Sequence, residues 1–161
     1  MRRIKRATGI VGLVLLMALL ASCSSGPARR VSEPAVFIQQ LSVDANGSWK
    51  VDLRLQNYSS IPMRFDQLRL ELQLSGQAAG TLQASPQLSV GPESADVVSV
   101  ALQPTSAGRI AVADALASRR AIEYQLSGTA NALPEDGKSR DFDISSNNLL
   151  NPVPGLDGVL R

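Results

Sequence analysis

The sequence predicts an all-β domain, a β-sandwich of about seven short antiparallel strands with one short helix. Three observations lead there: period-two alternation of apolar and polar residues, turn chemistry at regular intervals, and a single alanine-rich stretch with helical spacing.

Taken in order, the first strand is carried by Val36, Phe37, Ile38, Leu41 and Val43, just after Pro34. It ends at Asp44-Ala45-Asn46-Gly47, where Asn-Gly is the favoured pair for positions of positive φ. The second strand is the clearest, with Trp49, Val51, Leu53 and Leu55 alternating against Lys50, Asp52, Arg54 and Gln56. One face is therefore buried and the other wet. After a break at Asn57 to Pro62, alternation resumes with Leu68, Leu70, Leu72 and Leu74 against Gln67, Arg69, Glu71 and Gln73. That period excludes a helix despite the helical propensity of leucine.

Ser75-Gly76 and Gly80 bracket the next turn, and a shorter strand from Thr81 to Ala84 pairs back. Pro86 to Pro92, interrupted by prolines and a glycine, reads as an edge segment or connection. Ala95 to Leu102 is a further strand whose apolar residues on both faces predict an internal position. The one helix is expected over Arg109 to Arg120, with Ile110, Ala113 and Leu116 near helical spacing and Thr105-Ser106 able to supply a cap. Two last strands, Ala121 to Thr129 and Ser139 to Ser145, are joined through Pro134-Glu135-Asp136-Gly137. The residues from Leu149 to Arg161 form a Pro/Gly-rich but apolar tail, suited to packing in extended form against a sheet.

Ahead of the domain, Arg2, Arg3, Lys5 and Arg6 precede an apolar run from Ile10 to Leu20 that is too short to span a bilayer comfortably. This is a secretion signal, and it leads through Ala21-Ser22 into the only cysteine, Cys23. The arrangement resembles the lipobox of bacterial lipoproteins. That resemblance implies cleavage after Ser22 and acylation of Cys23, which a buried apolar cysteine, a free thiol or an intermolecular disulfide would not explain at this position. Multiple acyl chains would anchor the protein firmly to a membrane. Ser24 resembles the following residue of lipoproteins forwarded to the outer membrane, on its periplasmic side, in a host with two membranes. The expected division is thus a signal over 1–22, a lipid-anchored tether over 23–33, a domain over 34–148 and the tail over 149–161. Extended, the ten residues from Ser24 to Glu33 would reach at most about 35 Å.

Composition narrows function. The chain has 16 Lys+Arg and 14 Asp+Glu, but four basic residues lie in the signal, leaving 12 against 14 after cleavage. The basic pI near 9.0 is therefore an export feature, and a nucleic-acid partner loses its support. With no histidine and the one cysteine taken by the anchor, the chain cannot build Ser-His-Asp or Cys-His nucleophiles or a His/Cys zinc site. Carboxylate-pair chemistry remains conceivable, yet nothing singles out a pair, and aromatic platforms for a saccharide are scarce. Asp141-Phe142-Asp143 reads as alternation on the solvent face of a strand rather than as metal ligands. No phosphate-cradling or dinucleotide fingerprint is present, so no catalytic, cofactor-binding or metal residue is assigned.

The run Leu53-Arg54-Leu55-Gln56-Asn57-Tyr58-Ser59-Ser60-Ile61-Pro62-Met63, followed by an alternating strand and a turn from Gly76 to Gly80, carries a family signature. It resembles the late embryogenesis abundant type 2 family, also described as the water-stress and hypersensitive-response (WHy) domain. In that family a strand ends in an Asn-Pro-Asn-like turn, followed by Leu-Pro and a strand leading to a glycine. Asn57 matches the first asparagine and Ile61-Pro62 the Leu-Pro, while Tyr58 stands where proline is common. The resemblance implies an immunoglobulin- or fibronectin-III-like sandwich, no enzymatic activity, and a role in desiccation or other stress. Asn57, Ile61, Pro62, Gly76 and Gly80 are expected to be structural, the asparagine bonding backbone within its turn. The expected function is a non-enzymatic envelope lipoprotein that protects envelope proteins or lipids. The alternative is a periplasmic assembly lipoprotein that docks a protein partner by an edge strand or through its tail.

Overall fold

Alternating burial turns the apolar residues of each strand toward a single interior. The computed structural model describes residues 29–161, so the expected signal and Cys23 lie outside the described residues. Nine strands and one helix are present among them. The strands are β1 (Ala35–Val43), β2 (Trp49–Gln56), β3 (Met63–Leu74), β4 (Gln77–Ala84), β5 (Leu88–Val90), β6 (Ala95–Leu102), β7 (Ile122–Pro134), β8 (Arg140–Leu150) and β9 (Val159–Leu160), and the helix α1 (Ser106–Ser118) follows β6. One antiparallel sheet has the order β6-β2-β1-β9, and the other the order β4-β3-β7-β8 with β5 also on β3. The fold is the expected all-β sandwich, with Trp49, Leu53, Phe65, Leu70, Tyr124 and Leu126 buried between the sheets.

The β3-β4 hairpin turns on two residues only. Ser75 and Gly76 have φ of 47° and 75°, and the flanking Leu74 and Gln77 pair directly, as a type I′ turn requires. Gly80 does not close this turn as expected. It lies inside β4 opposite Leu72, beside a bulge in which the extra residue is Ala79. The bulge serves the helix: Thr105 donates through N–H to the Ala79 carbonyl (2.9 Å) and through Oγ1 to the Ala78 carbonyl (2.6 Å).

Helix α1 begins earlier than expected, because Thr105 Oγ1 accepts from the Gly108 N–H (3.0 Å) and caps the turn from Ser106. Its buried face is Gly108, Val112 and Ala115, and the expected core residue Ile110 is 71% exposed. Close approach explains the choice. A Cβ on Gly108 would stand 3.0 Å from Ala79 and 3.2 Å from the Trp49 ring, so only a stripe of small residues lets the helix sit down on β4.

Strand β6 is an edge strand, which corrects the expected internal position. It pairs with β2 alone; Val100 and Leu102 are buried, while Val97, Ser99 and Ala101 face outward. Val97 and Ala101 are therefore apolar residues on an open face, not signs of a second neighbour.

Both final strands are longer than expected. Strand β7 continues through Ala130 and Ala132 to Pro134, and β8 through Ser146, Asn147 and Asn148 to Leu150. The expected boundary at residue 148 thus falls within β8. Beyond it the chain turns back, and β9 pairs with β1 through Leu41↔Leu160 and Ser42↔Val159, with Leu160 fully buried. The tail packs in extended form as a strand.

Where the sandwich closes, side chains replace a ladder. Gln39 forms a bulge in β1, the Ile38 N–H donates to the Tyr124 hydroxyl (3.2 Å), and Ser146 Oγ donates to the Val36 carbonyl (2.7 Å). Burial raises the Tyr124 phenol above its ordinary value near 10, and the bond from Ile38 opposes that rise only in part. A raised phenol favours the folded state below the unfolded value, and that contribution is lost as pH climbs through the folded one. Stability should fall from about pH 10 upward. In Tyr124→Phe the fall should be shallower and start from a level lower by about 1 kcal/mol. Urea titrations of both proteins across that range check this.

Candidate functional site

Two regions stand out: a polar node at the end where the chain enters the sandwich, and a wet face on the second sheet. At the node, the break after β2 is folded around Asn57, which is fully buried. Its Nδ2 donates to the carbonyls of Ile61 (2.9 Å), Val90 (3.2 Å) and Gly91 (2.9 Å), and its Oδ1 accepts from the Ser59 N–H (2.8 Å). Its own N–H donates to the Ser94 carbonyl (2.9 Å). One amide therefore ties the β2-β3 connection to the segment between β5 and β6. Ile61 is buried beside it and Pro62 is half-buried, its carbonyl accepting from the Glu135 N–H (3.0 Å). With its polar atoms engaged by backbone, Asn57 has no chemistry left for a ligand.

The expected tether is attached to this node. Ser60 N–H donates to the Arg30 carbonyl (3.0 Å), Arg30 N–H donates to Ser60 Oγ (2.8 Å), and Ser32 N–H donates to Ser59 Oγ (3.0 Å). The Arg30 guanidinium reaches the Tyr58 carbonyl (3.1 Å) and Glu93 (3.3 Å), and Arg29 pairs with Asp136. Residues 30–32 thus form a strap across the end of the sandwich. From sequence, Ser59 carries no sign beyond a pair of serines in the turn, and Arg30 reads only as half of an isolated Arg29-Arg30 pair that is solvated or faces lipid headgroups.

The outward face of the second sheet carries polar side chains in register. Gln83, Arg69, Thr129 and Asp143 form one cross-strand row, and Gln67, Asn131 and Asp141 another. Around all of these but Asp143 lies an open groove of about 510 Å³ that also takes in Ser85. Asn131 Nδ2 donates to Asp141 Oδ1 (2.7 Å) while its Oδ1 accepts from Ser139 (2.8 Å), which fixes that amide. Asp141 and Asp143 are exposed on either side of buried Phe142, over whose ring Arg140 lies at 4.5 Å. This face thus presents polar and charged side chains to solvent. Gly76 is remote from both regions, at the opposite end of β3, and Gly80 lies within β4.

A family model described as late embryogenesis abundant protein matches residues 52–148. No curated protein sequence matches the chain. Solved structures of similar shape include a protein from Arabidopsis thaliana, at 16% identity over 82% of this chain and 85% of that one, with a TM-score of 0.48. A putative late embryogenesis abundant protein is 15% identical over 93% of this chain and 87% of its own, with a TM-score of 0.46. A protein from Archaeoglobus fulgidus is 11% identical over 74% and 96%, with a TM-score of 0.40.

Proposed function

Because the chain belongs to the late embryogenesis abundant type 2 family, we propose that it is a non-enzymatic, membrane-anchored lipoprotein that protects envelope proteins or lipids during desiccation or other stress. The observation that carries this reading is the wet face of the second sheet, where Gln, Asn, Ser, Thr and charged side chains stand in register. As water is withdrawn, such a face supplies donors and acceptors to neighbouring surfaces. Lipidation of Cys23 and delivery to the periplasmic side of an outer membrane, in a host that has one, are parts of the proposal resting on the lipobox and on Ser24.

Two outcomes are expected. A deletion strain should survive drying and freeze-thaw less well than its parent, and equal survival would count against protection. In Cys23→Ala the protein should lose its acyl chains and be released or mislocalised, with the domain still folded at an unchanged unfolding midpoint, because the described core lies wholly downstream of that residue.

A second reading, docking of a protein partner, is favoured by one observation, the open edge of β6 with Val97 exposed. It is better tested on that edge than by removing the tail, since truncation would strip out β9 and the buried Leu160. Loss of a stoichiometric crosslinked partner in Val97→Lys would support docking over protection.

A further inference from the structure

The strap limits how far the anchored domain can stand from its membrane, and it sets which end faces that membrane. Only Ser24 to Arg29 separate Cys23 from Arg30, where hydrogen bonding to the node begins. Fully extended, that leash spans at most about 25 Å. The sandwich itself is about 40 Å long, taking the twelve residues of β3 at strand rise. The far end, with the β3-β4 turn and the tail, is therefore out of reach of the surface unless the domain lies flat.

The near end carries two apolar side chains that are nearly half exposed. Tyr58 is 46% exposed and Val31 is 41% exposed, and Arg30, the chain neighbour of Val31, bonds the Tyr58 carbonyl and Ser60, which places both residues at this end. A tyrosine with an apolar ring and a hydroxyl tip suits the boundary between acyl chains and water. The arginines beside it are neutralised, Arg29 by Asp136 and Arg30 by Glu93. A contact made by Tyr58 and Val31 is interfacial rather than ionic. A short leash also raises the local concentration of membrane enough for a weak contact to be occupied.

We infer that Tyr58 and Val31 form a membrane-resting surface, which seats the node end of the domain in the headgroup layer of the bilayer that holds the anchor and turns the opposite end outward. This rests on the proposed acylation of Cys23. The occupant is a lipid surface, and because the native cysteine is consumed by acylation, an introduced cysteine becomes a unique labelling site.

The test uses the full acylated chain, purified from membranes and reconstituted into phosphatidylethanolamine/phosphatidylglycerol vesicles that carry a headgroup acceptor dye. A donor is placed at Glu135→Cys, near Pro62, or at Asp157→Cys in the tail, and energy transfer is compared. Transfer from the first position should exceed that from the second by about threefold or more, unchanged in high salt. In Tyr58→Ser/Val31→Ser the ratio should drop toward that of a freely swinging domain, with the protein still folded and only a modest fall in its unfolding midpoint, since both side chains are nearly half exposed and lie outside the core cluster. Equal transfer from the two positions, a ratio unaltered by the double substitution, or a ratio abolished by salt would each overturn the inference. An N-terminal peptide whose mass lacks acyl chains would instead overturn the anchor reading, and the inference with it.

Discussion

Gly128→Ala should destabilise the domain by about 4 kcal/mol or more, enough to leave little folded protein at growth temperature. Gly128 sits in the middle of β7, paired with Leu70 of β3 on one side and Ile144 of β8 on the other. Its φ is 153°, and a Cβ built there would stand 2.2 Å from the Arg69 carbonyl oxygen and 3.0 Å from Leu70 Cα. Those atoms are backbone of a central strand and cannot swing aside, so relief requires β3 and β7 to part. Gly80→Ala is the instructive comparison. Its φ is similar at 147°, but the nearest atom is Leu102 Cδ1 at 2.8 Å, at the end of a flexible side chain. The loss there should be markedly smaller, and urea denaturation of the two variants side by side checks the order.

Asn57→Ala should cost about 3 kcal/mol, seen as a fall of about 10 °C in the unfolding midpoint. The substitution withdraws the Nδ2 donor shared by Ile61, Val90 and Gly91 and leaves the Ser59 N–H without its acceptor. These groups are buried or half-buried, so water replaces the amide poorly. Asn57→Asp keeps the acceptor for Ser59 but aims a carboxylate at three carbonyls, and it should be no more stable than Asn57→Ala at neutral pH. A midpoint for either variant within a degree or so of the parent would show that the node is not what joins the two connections.

The strand that reads most plainly from sequence, β2, is the one whose alternation is never interrupted. Strand β3 is legible only from Gln67 onward, because Asp66 is an extra residue opposite β7. Met63 and Phe65 therefore point inward in one phase and Leu68 and Leu70 in the other. A reading extended backward from Leu68 would place Asp66 in the core. Strand β8 hides its second half for another reason: Ser146, Asn147 and Asn148 lack strand propensity, although Ser146 bonds Val36 and Asn148 Oδ1 accepts from the Leu149 N–H. The helix is legible from its alanine-rich spacing, but Ile110 does not mark its inward face, because the close approach to β4 needs small residues such as Gly108 and Ala115. At the node, Asn57 could be marked from its spacing to Pro62. Its partners at Val90 and Gly91 and the strap at Arg30 to Ser32 could not, because those bonds involve backbone groups that carry no residue-specific signature.

The corner where Tyr124 and Ser146 meet β1 bears on what happens when solvent is taken away. In most sandwiches an exposed strand margin has its amides and carbonyls occupied by water, and drying strands those groups until they find another chain. Along the first half of β1 that vacancy is filled from within, by a phenol for the Ile38 amide and a hydroxyl for the Val36 carbonyl. Among the described residues, every buried side-chain nitrogen and oxygen also has a partner. The buried side-chain polar groups of the described residues are thus partnered from within the protein, so the protective role proposed above would not require them to find new partners as water is withdrawn.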